Sequence, residues 1–384
     1  MKTSNFHSVS IIGASGFVGL RATEILSSMP DWTVRPIVRS ASSLAVIARQ
    51  RLDWRISDLL QAKPLAEALR GSAVCVHAAI GDASQIVRMA RETYRACALA
   101  GVRRLVWLSS ASVHGQNAAP GTTDETPLRD DQPLVYNNAK VRAEWVLDRL
   151  ARNGKVEVVH LRPSVVFGPR SRWITDAAAE IRAGHAAWLN GGRGICNTIY
   201  IDNLVEAIRL AAIVPGIAGQ AFLVGDAETV TWSEFLETIA EHFGVGRSGF
   251  TNLPIPSFSA ERESRLQALT LTPAYGRLAG LLPGRFKRLA KGILGAWPQP
   301  ATPPSVWTLR ATGESPRLTH ELALLQQCTW KLPHSRASQL LGYQPPISFI
   351  EGMARSLAWL DFAEGRFSLN GNKQSALVPT RRTF

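Results

Sequence analysis

A chain of 384 residues with 46% hydrophobic and 19% charged side chains can bury a sizeable core, which excludes a disordered or low-complexity protein. Four cysteines, at 75, 97, 196 and 328, follow no disulfide or metal-ligand spacing, so they read as buried apolar residues in a reducing compartment, and no metal is expected. A net charge of +13 leaves two readings open, an anionic partner or a merely dispersed basic surface; without an aromatic-interleaved basic patch, nucleic-acid binding is set aside.

The N-terminus carries no apolar leader, and no uninterrupted apolar run approaches the roughly 20 residues that span a bilayer, so a cytoplasmic protein is expected. Short β-branched runs at 9–13, 33–38, 73–78, 104–109, 156–161, 198–201 and 221–224 alternate with helical patterns at 17–28, 83–99, 137–152, 173–183 and 203–212. That alternation predicts an α/β fold, a Rossmann-type doubly wound parallel sheet covered by helices. Ser233 is expected to cap a helix whose apolar stripe is Leu236, Ile239, Ala240 and Phe243.

Beyond this point the composition shifts. A basic, Pro/Gly-rich insertion at 247–310 shows no clean strand pattern, helices are expected at 319–327 and 347–362, and the polar end, 363–384, reads as a disordered tail. The expected organisation is a dinucleotide-binding core at 1–170, rejoined by 195–230, with a smaller, mostly helical C-terminal substrate lobe from 171–194 and 231–362.

After the first strand comes Gly13-Ala14-Ser15-Gly16-Phe17-Val18-Gly19, followed by a helical pattern. Glycine at these positions lets the backbone approach a pyrophosphate, whose charge sits at the helix N-terminus. Gly13, Ser15, Gly16, Phe17, Val18 and Gly19 are therefore candidate cofactor contacts. The second strand ends in Arg39 where an NAD site usually places an acid, which favours NADP while leaving NAD open. Asp58 and Leu59, between the strands at 33–38 and 73–78, would flank the adenine, and the small Ala78 and Ala79 would let the cofactor lie across the sheet edge.

Tyr136 and Lys140 stand four residues apart at the start of a helix, so phenol and ammonium share one face. A free phenol titrates near pH 10, too high for a base at neutral pH; a nearby ammonium and a positive nicotinamide ring would favour the phenolate. Ser110 follows the strand at 104–109, at the carboxyl edge where open α/β sheets bind ligands.

With these motifs the chain resembles the extended short-chain dehydrogenase/reductase family, in its sugar-nucleotide epimerase/dehydratase-like branch. The resemblance rests on Gly13–Gly19, Val76-His77-Ala78-Ala79, Ser109-Ser110-Ala111-Ser112-Val113-His114-Gly115, Tyr136–Lys140, Leu161-Arg162-Pro163 through Gly168-Pro169, Tyr200-Ile201-Asp202-Asn203-Leu204 and Leu341-Gly342-Tyr343. It implies that Tyr136 is the acid/base, that Lys140 binds the nicotinamide ribose and lowers the tyrosine pKa, and that Ser110 orients the substrate oxygen. It places Pro163 and Val166 beside the nicotinamide and implies a homodimer through the helices at 83–99 and 137–152.

Departures from the family pattern narrow the reading. Ala111 and Ser112 stand where 4,6-dehydratases carry an acidic pair, so dehydration is not expected. His114 replaces a tyrosine and either touches substrate or packs; Val165 and Val166 replace an asparagine that contacts the diphosphate of nucleotide sugars. Ser112, His114, Arg172, Trp173 and Arg193 are the candidate substrate contacts, the arginines for an anionic group and the tryptophan for a planar face.

Residues 285–297 would form a basic amphipathic helix that either covers the substrate cleft or lies on an anionic membrane surface. The expected function is an NAD(P)-dependent epimerase or reductase acting on a secondary alcohol or ketone of a nucleotide- or lipid-linked sugar. A hydroxysteroid- or flavonoid-type dehydrogenase and a non-catalytic NADP-sensing regulator are the alternatives.

Overall fold

A computed structural model of the chain describes residues 7–48, 50–152, 154–257 and 318–366. The amphipathic segment 285–297, most of the 247–310 insertion and most of the 363–384 tail lie outside the described residues.

Strands β1 (His7–Ile12), β2 (Trp32–Val38), β3 (Arg55–Ile56), β4 (Val74–His77), β5 (Arg104–Leu108), β6 (Glu157–Pro163) and β11 (Ala221–Val224) form one sheet. Its order is β11-β6-β5-β4-β1-β2-β3, and every pair is parallel. Strands buried on both faces read as near-continuous apolar runs, as β4 and β5 do. On one face α1 (Phe17–Ser27) and α6 (Ile201–Ile213) contribute Leu20, Ala22, Leu26, Leu204, Val205 and Ile208 to an apolar layer. On the other, α2 (Ala62–Leu69), α3 (Ala83–Ala100) and α4 (Val135–Ala151) contribute Leu65, Ile86, Met89, Ala139, Ala143 and Leu147. The expected Rossmann-type doubly wound parallel sheet is present.

The strand order reverses between β1 and β4, which opens a crevice at the carboxyl ends of those two strands. Beside it sits another apolar cluster. Short strands β7 (Val165–Phe167) and β10 (Thr198–Tyr200) pair with each other, as do β8 (Ala187–Leu189) and β13 (Thr251–Leu253), and β9 (Ile195–Cys196) with β12 (Val230–Thr231). Around them pack α5 (Arg172–Arg182), α7 (Trp232–His242), α8 (His320–Gln326) and α10 (Phe349–Ala363), with Ile174, Trp232, Phe235, Leu322 and Met353 in the cluster. A further helix, α9 (Ser335–Leu341), sends Ala337 and Leu341 into the sheet core. Val18 and Val166 pack against both the sheet core and this cluster, so they mark its seam.

Several expectations needed correction. Ser233 is not the cap of α7; Thr231 is, accepting from the Glu234 amide at 3.2 Å while the Glu234 carboxylate accepts from the Thr231 amide at 2.6 Å. Thr231-x-x-Glu234 is a capping box, and it fixes the helix start two residues earlier. Strand β13 falls inside the stretch expected to hold none; three residues carry no legible period, and the stacking of Phe250 on Trp188 (centroids 4.2 Å apart) holds the neighbouring chain. The strand expected at 198–201 exists as β10 but pairs outside the main sheet. All four cysteines are free and buried, and among the described residues no helix is long and apolar enough to cross a membrane.

Candidate active site at the switch point of the sheet

The glycine turn fills the crevice between β1 and β4. Gly13 has φ +81, a conformation few side chains accept, and its carbonyl accepts from the Gly16 amide at 2.9 Å. A Cβ on Gly13 would stand 2.7 Å from the Ala79 nitrogen, and one on Gly19 would stand 2.2 Å from the Gly13 carbonyl oxygen. Helix α1 begins with Gly16 as its cap, with no capping side chain and no acid in its first turn. Its leading amides are therefore available to an anion, with the helix dipole behind them. Side-chain-free backbone beside open amides fits a dinucleotide pyrophosphate. Ser15, Phe17 and Val18 are half-buried along this turn, and Ala78 is tied to β1 through the Ile12 carbonyl at 2.9 Å.

At the far side of the crevice, β2 ends at Val38 and Arg39 is exposed directly after it. The next residues gather hydroxyls, with Ser40 Oγ 2.9 Å from Ser42 Oγ and 3.0 Å from Ser43 Oγ. Asp58 is exposed past β3 and accepts from the Leu60 amide at 3.0 Å and Gln61 Nε2 at 2.8 Å; these bonds, the backbone one first, hold its carboxyl below the usual range. Leu59 beside it is half-buried.

Tyr136 lies in the first turn of α4, and Lys140 stands one turn on with its Nζ donating to the Leu108 carbonyl at 2.9 Å. The ammonium is 5.5 Å from the Trp107 ring centroid and 5.7 Å from that of Tyr136. Burial pushes Lys140 down to about 8, and the Glu144 carboxylate pulls the other way. Burial pushes the Tyr136 phenol up, and the Glu321 carboxylate adds to that. The expectation is that Lys140 together with a positive nicotinamide ring lowers the tyrosine; among the described residues burial and Glu321 push it up, and the Lys140 ammonium is engaged by the Leu108 carbonyl.

Ser110 caps the 3-10 turn Ala111–His114, its Oγ accepting from the Ser112 amide at 3.2 Å. Ser112 is buried, and its hydroxyl has no partner among the described residues. His114 Nε2 lies 3.3 Å from Arg162 Nη1; burial and then Arg162 lower its pKa to about 4. Pro163 ends β6, and half-buried Val166 in β7 accepts at its carbonyl from Ser171 Oγ at 3.1 Å.

The substrate-side candidates are more scattered. Arg172 opens α5 and donates to Asp176 at 3.1 Å, Trp173 packs 5.9 Å from Trp232 in the second cluster, and Arg193 is exposed after a 3-10 turn at Asn190–Gly192.

Two features escaped the sequence reading. Glu144, one turn past Lys140, is bound by Ser109 and Arg162. Glu321 of α8 accepts from Gln116 Nε2 at 2.7 Å and so joins the C-terminal helices to the segment just after the Ser110 turn. Only the i+4 spacing from Lys140 signalled the first, and nothing local signalled the second.

His77 ends β4 beneath this site, its ring tilted against that of Trp107 with centroids 4.3 Å apart, and it is buried. Burial, with Lys140 nearby, lowers its pKa from 6.5 to about 3. Between those values the unfolded chain binds the extra proton, so stability falls as pH drops through the window. At pH 5 the loss from this residue alone is about 2 kcal/mol, at ~1.36 kcal/mol per unit. Urea unfolding at pH 7.5 and pH 5 should show this loss in the parent and a smaller one in His77→Leu; equal losses in both would contradict the assignment.

A family model for the 3-beta hydroxysteroid dehydrogenase/isomerase family matches residues 10–255. The chain is similar to a 3 beta-hydroxysteroid dehydrogenase/Delta 5→4-isomerase of Mycobacterium tuberculosis, 31% identical over 269 residues, 63% of this chain and 71% of that protein. It is also similar to a UDP-glucose 4-epimerase of Vibrio cholerae, 28% identical over 255 residues, 61% of this chain and 75% of that one. In structure it resembles a dTDP-glucose 4,6-dehydratase of Streptomyces venezuelae solved with NAD bound, with a TM-score of 0.65 at 18% identity over 93% of this chain and 98% of that one. The extended short-chain dehydrogenase/reductase resemblance is borne out, with an NAD-binding Rossmann fold, and the chain belongs to the 3-beta hydroxysteroid dehydrogenase/isomerase family.

Proposed function

We propose that the protein is a nicotinamide-dependent dehydrogenase or reductase acting on a secondary alcohol or ketone carried by an apolar ring system of the sterol type. The observation that carries this reading is the placement of Ser110, Tyr136 and Lys140 at the carboxyl edge of the sheet that also presents the Gly13–Gly19 cradle. When bound, the nicotinamide accepts or supplies the hydride. Ser110 Oγ orients the substrate oxygen, and the Tyr136 hydroxyl takes up or returns the proton at that oxygen. Lys140 would hold the cofactor ribose and stabilise the phenolate, with its ammonium placed by Trp107 and the Leu108 carbonyl.

The apolar assignment is supported by half-buried Val166 at the edge of the second cluster, by Trp173 beside Trp232, and by the hydroxysteroid relatives. With Arg172 engaged by Asp176 and Arg193 exposed, the described arginines give less support to a diphosphate. The epimerase relative favours a second reading, a nucleotide-linked sugar substrate. Reduced-nicotinamide formation at 340 nm with a 3β-hydroxysteroid should be measurable and should exceed that with UDP-glucose, which an epimerase would instead convert with no net reduction. Interconversion of UDP-hexoses with no steroid oxidation would overturn the sterol assignment.

NADP is the proposed cofactor, because β2 is followed directly by Arg39 and a cluster of serine hydroxyls, a group suited to a 2′-phosphate. Arg39→Asp should reverse the preference for NADPH over NADH by about 10–100-fold, the value of one charge-assisted contact. An unchanged ratio of the two dissociation constants in fluorescence titrations would show that Arg39 does not read the cofactor.

A further inference from the structure

Behind Ser110, Tyr136 and Lys140 lies a buried ion pair. Glu144, 1% exposed, accepts from Ser109 Oγ at 2.5 Å and from Arg162 Nε and Nη2 at 3.1 and 2.6 Å. Arg162, 5% exposed, also donates to the Asp124 carbonyl at 2.8 Å and stands 3.3 Å from His114 Nε2. Asp124 in turn accepts the Leu223 amide.

Each partner adjoins a residue assigned to the reaction. Ser109 precedes Ser110, Glu144 lies one turn beyond Lys140, Arg162 precedes Pro163, and His114 ends the turn that Ser110 caps. One pair therefore ties together α4, β6, the end of β5 and the loop at Asp124. Packing alone does not call for it, since a buried ion pair can be replaced by apolar residues at little loss of stability.

We propose that Glu144 and Arg162 are positioning residues for the reaction: their bonds to Ser109, His114 and the Asp124 carbonyl fix the Ser110 turn against the helix that carries Tyr136 and Lys140. The inference rests on the assignment of those three residues in the proposed function. The carboxylate also has an electrostatic consequence. Lys140 faces Glu144 on its own helix, His77 from β4, the Trp107 ring and Leu108 carbonyl from β5, and the Tyr136 ring. Glu144 faces His160 and Arg162 from β6 and Ser109 from the end of β5, and His160 is bonded to Asp148 at 2.8 Å. Among these groups the Glu144 carboxylate opposes the lowering that burial imposes on the Lys140 ammonium.

The test compares the parent with Glu144→Gln, which keeps the shape and loses the charge, and with the double variant Glu144→Met/Arg162→Met, which leaves no lone buried charge. Tyr136→Phe is run alongside. In Glu144→Gln the alkaline limb of the kcat profile should move about one pH unit lower, because Lys140 loses its proton sooner. In the double variant kcat should fall about 10–100-fold, with KM and the cofactor dissociation constant little changed and the protein still folded. A folded double variant with the parent's kcat, or a Glu144→Gln profile that does not move, overturns the proposal. Activity in Tyr136→Phe would sink the catalytic assignment instead, so the two failures are distinct.

Discussion

Tyr136→Phe should lower turnover by about 10²–10⁴-fold, the range for removing a positioned general acid/base. The ring stays where it packs in the first turn of α4, and Lys140 keeps its bond to the Leu108 carbonyl, so cofactor binding and folding should persist. The phenol needs help to ionise, because burial and Glu321 both push its pKa up. Loss of kcat with an intact cofactor dissociation constant is the expected signature, read by steady-state kinetics beside a binding titration. Retained turnover would remove Tyr136 from the chemistry.

Gly19→Ala should abolish cofactor binding and lower thermal stability. Its Cβ would stand 2.2 Å from the Gly13 carbonyl oxygen and 2.7 Å from the Gly13 carbonyl carbon, both backbone atoms that no rotamer change can move aside. Relieving the contact means opening the turn that Gly13 and Gly16 close. Overpacking of this kind destabilises by about 1–3 kcal/mol, and a distorted cradle no longer matches a pyrophosphate. Melts with and without NADPH are the check. The cofactor should raise the Tm of the parent and leave that of the variant unchanged. A variant stabilised as much as the parent would show that the turn does not hold the cofactor.

The features legible in the sequence are those encoded locally. The parallel sheet announces itself through apolar runs at β1, β2, β4, β5 and β6, the cradle through glycine spacing, and the Tyr136–Lys140 pair through one helical turn. The features that escaped depend on chain segments meeting in space. Glu144 and Arg162 are 18 residues apart and Ser109 is 35 from Glu144, and such separations leave no periodic trace. Glu321 comes from the far end of the chain, 205 residues from its partner Gln116. The cap at Thr231 was present as Thr-x-x-Glu, but the hydroxyl of Ser233 competes for the same reading and, in the structure, binds Thr231 Oγ1 instead. The direction of the Tyr136 shift also escaped, because sequence places the ammonium near the phenol without revealing that the phenol is buried and faces Glu321 from the far end of the chain.

The most direct test of a nicotinamide-dependent reaction at this crevice is a fluorescence titration of the purified protein with NADPH and NADH. Saturable binding of both, tighter for NADPH and lost in Gly19→Ala, is the predicted result. Absence of binding by either nucleotide to the folded protein would contradict the account at its centre.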